Sequence, residues 1–271
     1  MEENRMEQLK ALARYLNCPC RYFPPAEDDR ELRKAYDEAA ELGKQHGFVP
    51  VLIAVDFTLI ETLMMNITGQ AEEPSREEID NYRSRMLSLS LADGKTVLKQ
   101  RLDEWTKESE LCMGEFSGQG QSELQSDFEG YWDYFSQKTL PIVLAEIPVK
   151  NPWEVFAYLP FGDWNECPDT PELMSVAKYW FERYGAVPAV MTHDVLENLS
   201  CQSQLRSRKR LRRLWSSIDS VWILSSRAQK QSVRWRIVYV EILSGISGGI
   251  NKNKKTKEER GSVFPNPVLL L

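Results

Sequence analysis

Two side chains suited to nucleophilic chemistry lie in the second half of the sequence. Cys167 precedes a predicted helix start at Thr170, and His193 follows a predicted strand. The dipole at a helix N-terminus lowers the pKa of a thiol, and α/β folds gather ligands where strands end. With Glu166 or Asp194 as the acidic residue that orients the imidazole, these residues predict a Cys–His nucleophile pair. The predicted catalytic residues are therefore Cys167, His193 and Asp194.

A plainer interpretation fits the same residues. A cysteine in a loop rich in tryptophan and proline is more often a small, packed apolar side chain, and a His-Asp pair after a strand is often only a helix cap. The sequence does not show that Cys167 and His193 meet. If a site exists, we expect it where residues 163–168 approach residues 191–194, because one segment opens a helix and the other closes a strand.

Polar residues beside Trp164 favour a ligand pocket as a third possibility. The indole can form its floor, with Asp163, Asn165 and Glu166 contacting the ligand. The alternative is that Trp164 anchors the loop and Asn165 satisfies its own backbone. Asp56, which follows the first buried strand, is placed either for a ligand or, as we favour, for capping the next helix.

The remaining motifs exclude several kinds of site. Cys18 and Cys20 flank a proline, where a structural turn is favoured over a metal or redox role because partner residues are lacking. With two histidines in the chain, we predict no metal site and no cofactor. Neither glycine-rich nucleotide motif is present. The five cysteines include no CxxC pair, which predicts reduced thiols. The sequence has no apolar leader and no long apolar run, so we predict that the protein is cytoplasmic.

Helices that alternate with short apolar strands must position these residues. The predicted helices are one that ends near residue 16, one over residues 32–42, one after Asp56, one over much of 72–110, one that begins at Asn151 and one over 170–184. The predicted strands are 48–55, 140–147 and 186–191. A polar, glycine-rich stretch over residues 114–130 predicts a long surface loop. The alternation predicts an α/β domain with a mixed or largely parallel sheet and flanking helices.

Charge divides the chain into two unlike parts. Residues 1–197 contain 19 basic and 36 acidic residues, a net charge of −17, whereas residues 198–271 contain 15 basic and four acidic residues, a net charge of +11. We predict a single acidic α/β domain over residues 1–197 and a separate tail over 198–271. The acidic domain is expected to repel nucleic acid and to bind neither DNA nor a membrane.

Residues 151–197 resemble the bacterial family called domain of unknown function 4253, most specifically in WNECP at 164–168 and His193-Asp194. The stretches NCPCRYFPP and GFVPVLIAVDFTLIETLMMN also look like members of that family, so the resemblance covers most of residues 1–197, best over 140–197. It implies a fold family but no activity. Members usually continue with a helix and finish on a short aromatic strand, whereas here the likeness stops after Glu197.

A frameshift explains this departure. When the third base of each codon is read with the first two of the next, residues 228–251 can encode TETIGALADSLRGNPQWYFWWD and then a stop. That string has a helical apolar pattern and an aromatic end, as the family implies. We therefore predict that residues 198–271 are out of frame, disordered or misfolded, that the C-terminal helices and last strand are missing, and that 236–243 is prone to aggregate. The alternative is a basic nucleic-acid-binding tail around residues 206–213.

Two classes of function remain open. The first is a non-enzymatic intracellular binding protein whose acidic body holds a basic protein partner, as acidic immunity-type proteins do. The alternative is a hydrolase or transferase that depends on Cys167 and His193. The sequence leaves the oligomeric state open.

Overall fold

The computed structural model describes residues 2–70, 73–108, 128–133, 135–164, 167–200 and 236–241. The first half comprises α1 (Glu2–Leu16), β1 (Cys20–Phe23), α2 (Arg30–His46), β2 (Val49–Ala54), α3 (Phe57–Thr68), α4 (Arg76–Leu87) and α5 (Gly94–Glu108). The second half comprises β3 (Trp132–Asp133), β4 (Lys138–Thr139), β5 (Ile142–Ile147), a 3-10 turn (Pro152–Glu154), α6 (Val155–Tyr158), α7 (Thr170–Tyr184), β6 (Ala186–Met191), β7 (Val195–Ser200) and β8 (Arg236–Glu241).

Six of the described strands form one sheet in the order β1-β5-β2-β6-β7-β8. The pairs β2–β6 and β7–β8 are parallel, and the other pairs are antiparallel. This arrangement confirms the predicted α/β class with a mixed sheet. The short hairpin of β3 and β4 lies outside it.

The sheet is covered on both faces, which explains the continuous apolar sequence of β2. Val51 and Ile53 join the larger core, formed with α1 and α3–α7, while Leu52 and Ala54 join a smaller core beneath α2. Successive strand residues point to opposite faces, so a strand buried on both faces has no polar alternation. The predicted buried strand over residues 48–55 is confirmed.

Glycine and aspartate residues set the ends of α2 and α7. α2 ends at Gly47 in the left-handed region with φ 77°, and α7 ends at Gly185 with φ 67°. Glycine adopts this region at little cost and satisfies carbonyls at the end of a helix. Asp169 caps α7, accepting a hydrogen bond from the amide of Glu172 at 2.9 Å.

Two strands differ from the expectations drawn from sequence. β1 begins at Cys20, where the sequence predicts a structural turn and no strand. After β6 the chain does not begin a helix at His193-Asp194; it turns back into β7, antiparallel to β6. The helix-cap interpretation of this dipeptide is therefore wrong.

The region after residue 197 is only partly described. β7 runs to Ser200, and β8 comes from the stretch predicted to be prone to aggregation and pairs with β7 in parallel. Residues 201–235 and 242–271 lie outside the described residues, as does most of the predicted loop over 114–130. The frameshift stays a prediction. None of the described helices has both the length and the apolar character needed to cross a membrane.

Candidate functional site

A charged cluster lies at the carboxyl edge of the two central parallel strands. β2 and β6 pair in register, with Leu52 opposite Val190 and Ile53 opposite Met191. The residues that follow these strands therefore emerge at the same edge of the sheet. Asp56 follows β2, while His193 and Asp194 follow β6. Open α/β sheets bind ligands at this kind of position.

The His193 imidazole lies between the two carboxylates. Its Nδ1 is 3.7 Å from Oδ1 of Asp56, and its Nε2 is 3.7 Å from Oδ1 of Asp194. Both distances exceed those of a hydrogen bond, so they describe ion pairs that form when the imidazole is protonated. The side chains of His193, Asp56 and Asp194 are 44%, 37% and 30% exposed. Three of the predicted site residues thus meet on an accessible surface.

Asp56 has a structural role in addition to facing His193. It is the N-cap of α3, and its Oδ1 accepts a hydrogen bond from the amide of Leu59 at 2.9 Å. This contact satisfies one of the amides that the first turn of a helix leaves unpaired. The predicted capping role is present, and the same carboxylate faces the imidazole.

Thr192, which sequence reasoning missed, holds Asp194 in place. It is buried, and its hydroxyl donates to Oδ1 of Asp194 at 3.0 Å. The same hydroxyl accepts from the amide of Val195 at 3.0 Å, and the amide of Thr192 donates to the carbonyl of Val195 at 2.9 Å. The sequence signal that could have identified Thr192 is a threonine two residues before an aspartate at the end of a strand.

Phe57 is the second residue that sequence reasoning missed. It follows Asp56 in the first turn of α3 and is 61% exposed. Phe57 therefore adds an apolar face next to the cluster formed by Asp56, His193 and Asp194, which we call the carboxylate cluster.

Cys167 lies in a tightly closed loop. The amide of Asp163 donates to the carbonyl of Pro168, and the amide of Cys167 donates to the carbonyl of Trp164, both at 3.0 Å. Gly162 has φ 89°, and a Cβ there would lie 2.6 Å from Sγ of Cys167. Only glycine fits this close approach. The thiol is buried in the larger core, with 8% of the residue exposed.

Burial raises the pKa of the Cys167 thiol well above its usual range. Desolvation disfavours the thiolate, which is the opposite of the lowering expected from a helix N-terminus. Within the described part of the chain, neither a hydrogen bond nor an ion pair joins Cys167 to His193. The surroundings of the sulfur are those of a packed apolar side chain.

The loop and the carboxylate cluster are anchored at different ends of α3. Asn66, near the end of this helix, donates to the carbonyls of Pro160 at 2.6 Å and Gly162 at 2.8 Å. His193 lies beside Asp56 at its start. The ten residues from Asp56 to Asn66 correspond to about 15 Å of helix. The two segments predicted to form one site are thus held at separate positions.

The other predicted ligand residues belong to this loop. Trp164 is half-buried, and Asp163 is exposed with a left-handed φ of 60°. Asn165 and Glu166 lie outside the described residues. Among the residues that the structure describes, no group of three or more His, Cys, Asp or Glu side chains is arranged to hold a metal ion.

We expect the Cys167 thiol to resist alkylation in the folded protein. Iodoacetamide reacts with thiolates, and a raised pKa together with burial leaves very little accessible thiolate at neutral pH. Labelling at pH 7 to 9, read by peptide mass spectrometry, should mark Cys167 only after unfolding in urea. Labelling of native Cys167 at pH 7 as fast as a free thiol would restore the case for a nucleophile.

Comparison with known proteins adds one finding. Residues 143–214 match the family model described as domain of unknown function (DUF4253). The match confirms the resemblance carried by WNECP and His193-Asp194. It covers 72 of the 271 residues and continues past Glu197, where the likeness is expected to stop. No curated protein and no solved structure matches the chain. The matched segment contains all but the first residue of β5, together with α6, α7, β6 and β7, and with them His193 and Asp194.

Proposed function

We propose that this chain is a non-enzymatic binding protein that holds a cationic side chain of a basic protein partner at the carboxylate cluster. The observation that carries the proposal is the convergence of Asp56 and Asp194 on opposite nitrogens of an exposed imidazole. The cluster offers two carboxylates with an imidazole ring between them. That combination suits a guanidinium or an ammonium group.

The surroundings of the cluster favour the same ligand. Residues 1–197 have a net charge of −17, which attracts a basic surface over a distance set by ionic strength. Phe57 offers an aromatic face beside Asp56, and arginine stacks on such faces. Thr192 fixes Asp194 through a hydrogen bond, so this carboxylate is ordered before a ligand arrives.

The geometry supports binding better than catalysis. A general base is normally oriented by a hydrogen bond of about 2.6 to 3.2 Å. The contacts of His193 with both carboxylates are longer, at 3.7 Å. The nucleophile predicted from sequence, Cys167, is buried with a raised pKa. The Cys167–His193 hydrolase or transferase therefore has less structural support than the binding protein.

The proposal is tested with labelled peptides of eight arginines, eight lysines and eight glutamates, followed by fluorescence anisotropy in 0.15 M salt. The site variant is Asp56→Asn with Asp194→Asn; asparagine also caps helices, so α3 is preserved. We expect the arginine peptide to bind and the site variant to weaken it about tenfold, a loss of about 1.4 kcal/mol. Phe57→Ala should weaken it about threefold.

The matched control removes two equal charges elsewhere. Asp93 caps the turn before Thr96 and Asp103 pairs with Lys99, so Asp93→Asn with Asp103→Asn keeps the same net charge as the site variant. We expect this control to change the affinity less than twofold, about 0.4 kcal/mol. Equal weakening by both double variants would show that net charge alone attracts the peptide and would refute a defined site. Salt-sensitive, micromolar DNA binding by residues 1–197 would also contradict the proposal.

A further inference from the structure

Cys18 and Cys20 form a pair of thiols at an exposed edge of the sheet. Cys20 is exposed and begins β1, the strand at one end of the sheet order. Cys18 is half-buried and packs against the larger core. Between them, the carbonyl of Pro19 accepts a hydrogen bond from the amide of Glu146 at 2.9 Å. The segment is thus fixed against β5, with Cys20 exposed and Cys18 half-buried.

The two thiols interact with each other. Only Pro19 separates the two cysteines in the sequence. The two thiols form a hydrogen bond that lowers the pKa of Cys20. The same hydrogen bond and, as the second cause, burial raise the pKa of Cys18. The exposed sulfur therefore ionises first, and the inner sulfur keeps its proton until later. An accessible nucleophile next to a protonated second thiol is the arrangement found in dithiols that exchange with disulfides.

A buried cation lies near the inner thiol. Arg83 is 4% exposed, donates from Nη2 to the carbonyl of Tyr15 at 2.9 Å, and lies 4.2 Å from the ring centroid of Tyr158. Its positive charge acts against the factors that raise the pKa of Cys18. Arg83 thus stabilises a thiolate at Cys18 once Cys20 no longer holds a negative charge.

We propose that Cys18 and Cys20 are a thiol–disulfide exchange site whose substrate is a small-molecule disulfide of the glutathione type. In the first step the Cys20 thiolate attacks one sulfur of the substrate, forming a mixed disulfide and releasing one thiolate. In the second step Cys18 loses its proton to solvent and attacks Sγ of Cys20, which releases the second thiolate. The protein loses two hydrogens and two electrons, and the substrate disulfide becomes two thiols.

The resulting bond is readily reversed. A disulfide between residues two apart closes a small ring that departs from relaxed geometry, and strained or exposed disulfides are the easily reduced ones. The reduced pair is therefore the resting state in a reducing compartment, and the oxidised pair forms when the ratio of disulfide to thiol rises. This function is independent of the carboxylate cluster.

The test uses the full chain with Cys112→Ser and Cys201→Ser, equilibrated in glutathione buffers of increasing disulfide content. Peptide mass spectrometry should find a Cys18–Cys20 disulfide with the loss of two hydrogens. Cys18→Ser should stop at a stable glutathione adduct on Cys20. Cys20→Ser should form an adduct on Cys18 at least about tenfold more slowly. Cys167→Ser, the control at a buried thiol, should behave like the parent chain.

Two results would overturn the proposal. One is the absence of the Cys18–Cys20 disulfide in the parent chain in excess glutathione disulfide, a readout that needs no variant at either position. The other is equal adduct formation by Cys18→Ser and Cys20→Ser, because it would show that the inner thiol does not resolve an adduct formed first on the outer one. Both readouts are separate from peptide binding at Asp56 and Asp194.

Discussion

Replacing Glu197 by alanine is expected to lower the free energy of unfolding by about 3 kcal/mol. Glu197 lies in β7 and is fully buried. Its Oε1 accepts hydrogen bonds from the amides of Glu129 at 3.1 Å and Gly130 at 2.9 Å. Alanine would leave both amides without this acceptor, and each such loss costs about 1 to 3 kcal/mol. Relief from burying the carboxylate offsets part of that cost.

The contact also explains why Gly130 is a glycine. A Cβ at this position would lie 2.8 Å from Cγ1 of Val195 and 3.0 Å from Cδ of Glu197. The backbone must therefore come close to β7 for its amide to reach the carboxylate. This approach places Phe128 and Tyr131 in the smaller core. Glu197 thus connects the segment after the long polar stretch to the sheet.

The measurement is urea unfolding followed by circular dichroism, with Glu197→Gln and Glu182→Ala alongside. Glutamine keeps a carbonyl oxygen that accepts both amides, so we expect a smaller loss than for alanine. Glu182 is the matched control because its exposed carboxylate pairs with Lys178 at 3.7 Å, a contact worth less than about 0.5 kcal/mol. If Glu197→Ala and Glu182→Ala unfold at the same urea concentration, the anchoring role is wrong.

The sequence predicted the elements that are determined by residues close together in the chain. The apolar run of β2 and the cap residue Asp56 follow from side-chain burial and from unpaired amides at a helix start. The stop at Gly185 follows from the left-handed conformation that ends α7. Each rule needs only a few neighbouring residues, so one sequence is enough to apply it.

Elements held by distant partners were not predictable in this way. β1 has only four residues and is a strand because Cys20–Phe23 pairs with residues 142–145 of β5. β7 contains Glu197 and Asn198, both buried, a composition that does not resemble a core strand. Their pairing depends on long-range contacts that periodicity cannot show.

The candidate site shows the same limit. The nearby helix N-terminus suggested a lowered pKa for Cys167. The surrounding core instead removes water from the thiol and raises its pKa. His193 and Asp194 were identified from their place after a strand, whereas their contact with Asp56 requires β2 and β6 to be parallel neighbours. Strand order, which the sequence did not provide, decides which strand ends meet.

Restoring the alternate reading frame after Glu197 is expected to give a protein that melts cooperatively and at a higher temperature than the 271-residue chain. We propose the frameshift because the shifted reading of residues 228–251 has an amphipathic period, an aromatic end and a stop. In the 271-residue chain, the outer neighbour of β7 is β8, a strand from the basic tail. Leu196 and Leu199 of β7 are buried. The segments that follow β7 in the chain determine how well these side chains stay shielded from water.

The comparison is made by differential scanning calorimetry and by sedimentation of both chains at equal concentration. In the restored chain, an amphipathic helix and an aromatic segment replace the tail with its net charge of +11. These segments should bury more apolar surface beside β7, so the restored chain should give one sharp transition. The 271-residue chain should aggregate on heating because β8, at the edge of its sheet, has an apolar centre (IVYV) with high strand propensity. A third chain that ends after Ser200 is the control, since it removes the tail without adding the helix. Equal melting of the restored and 271-residue chains would contradict the frameshift, and equal melting of the restored and shortened chains would show that the new helix does not pack on β7.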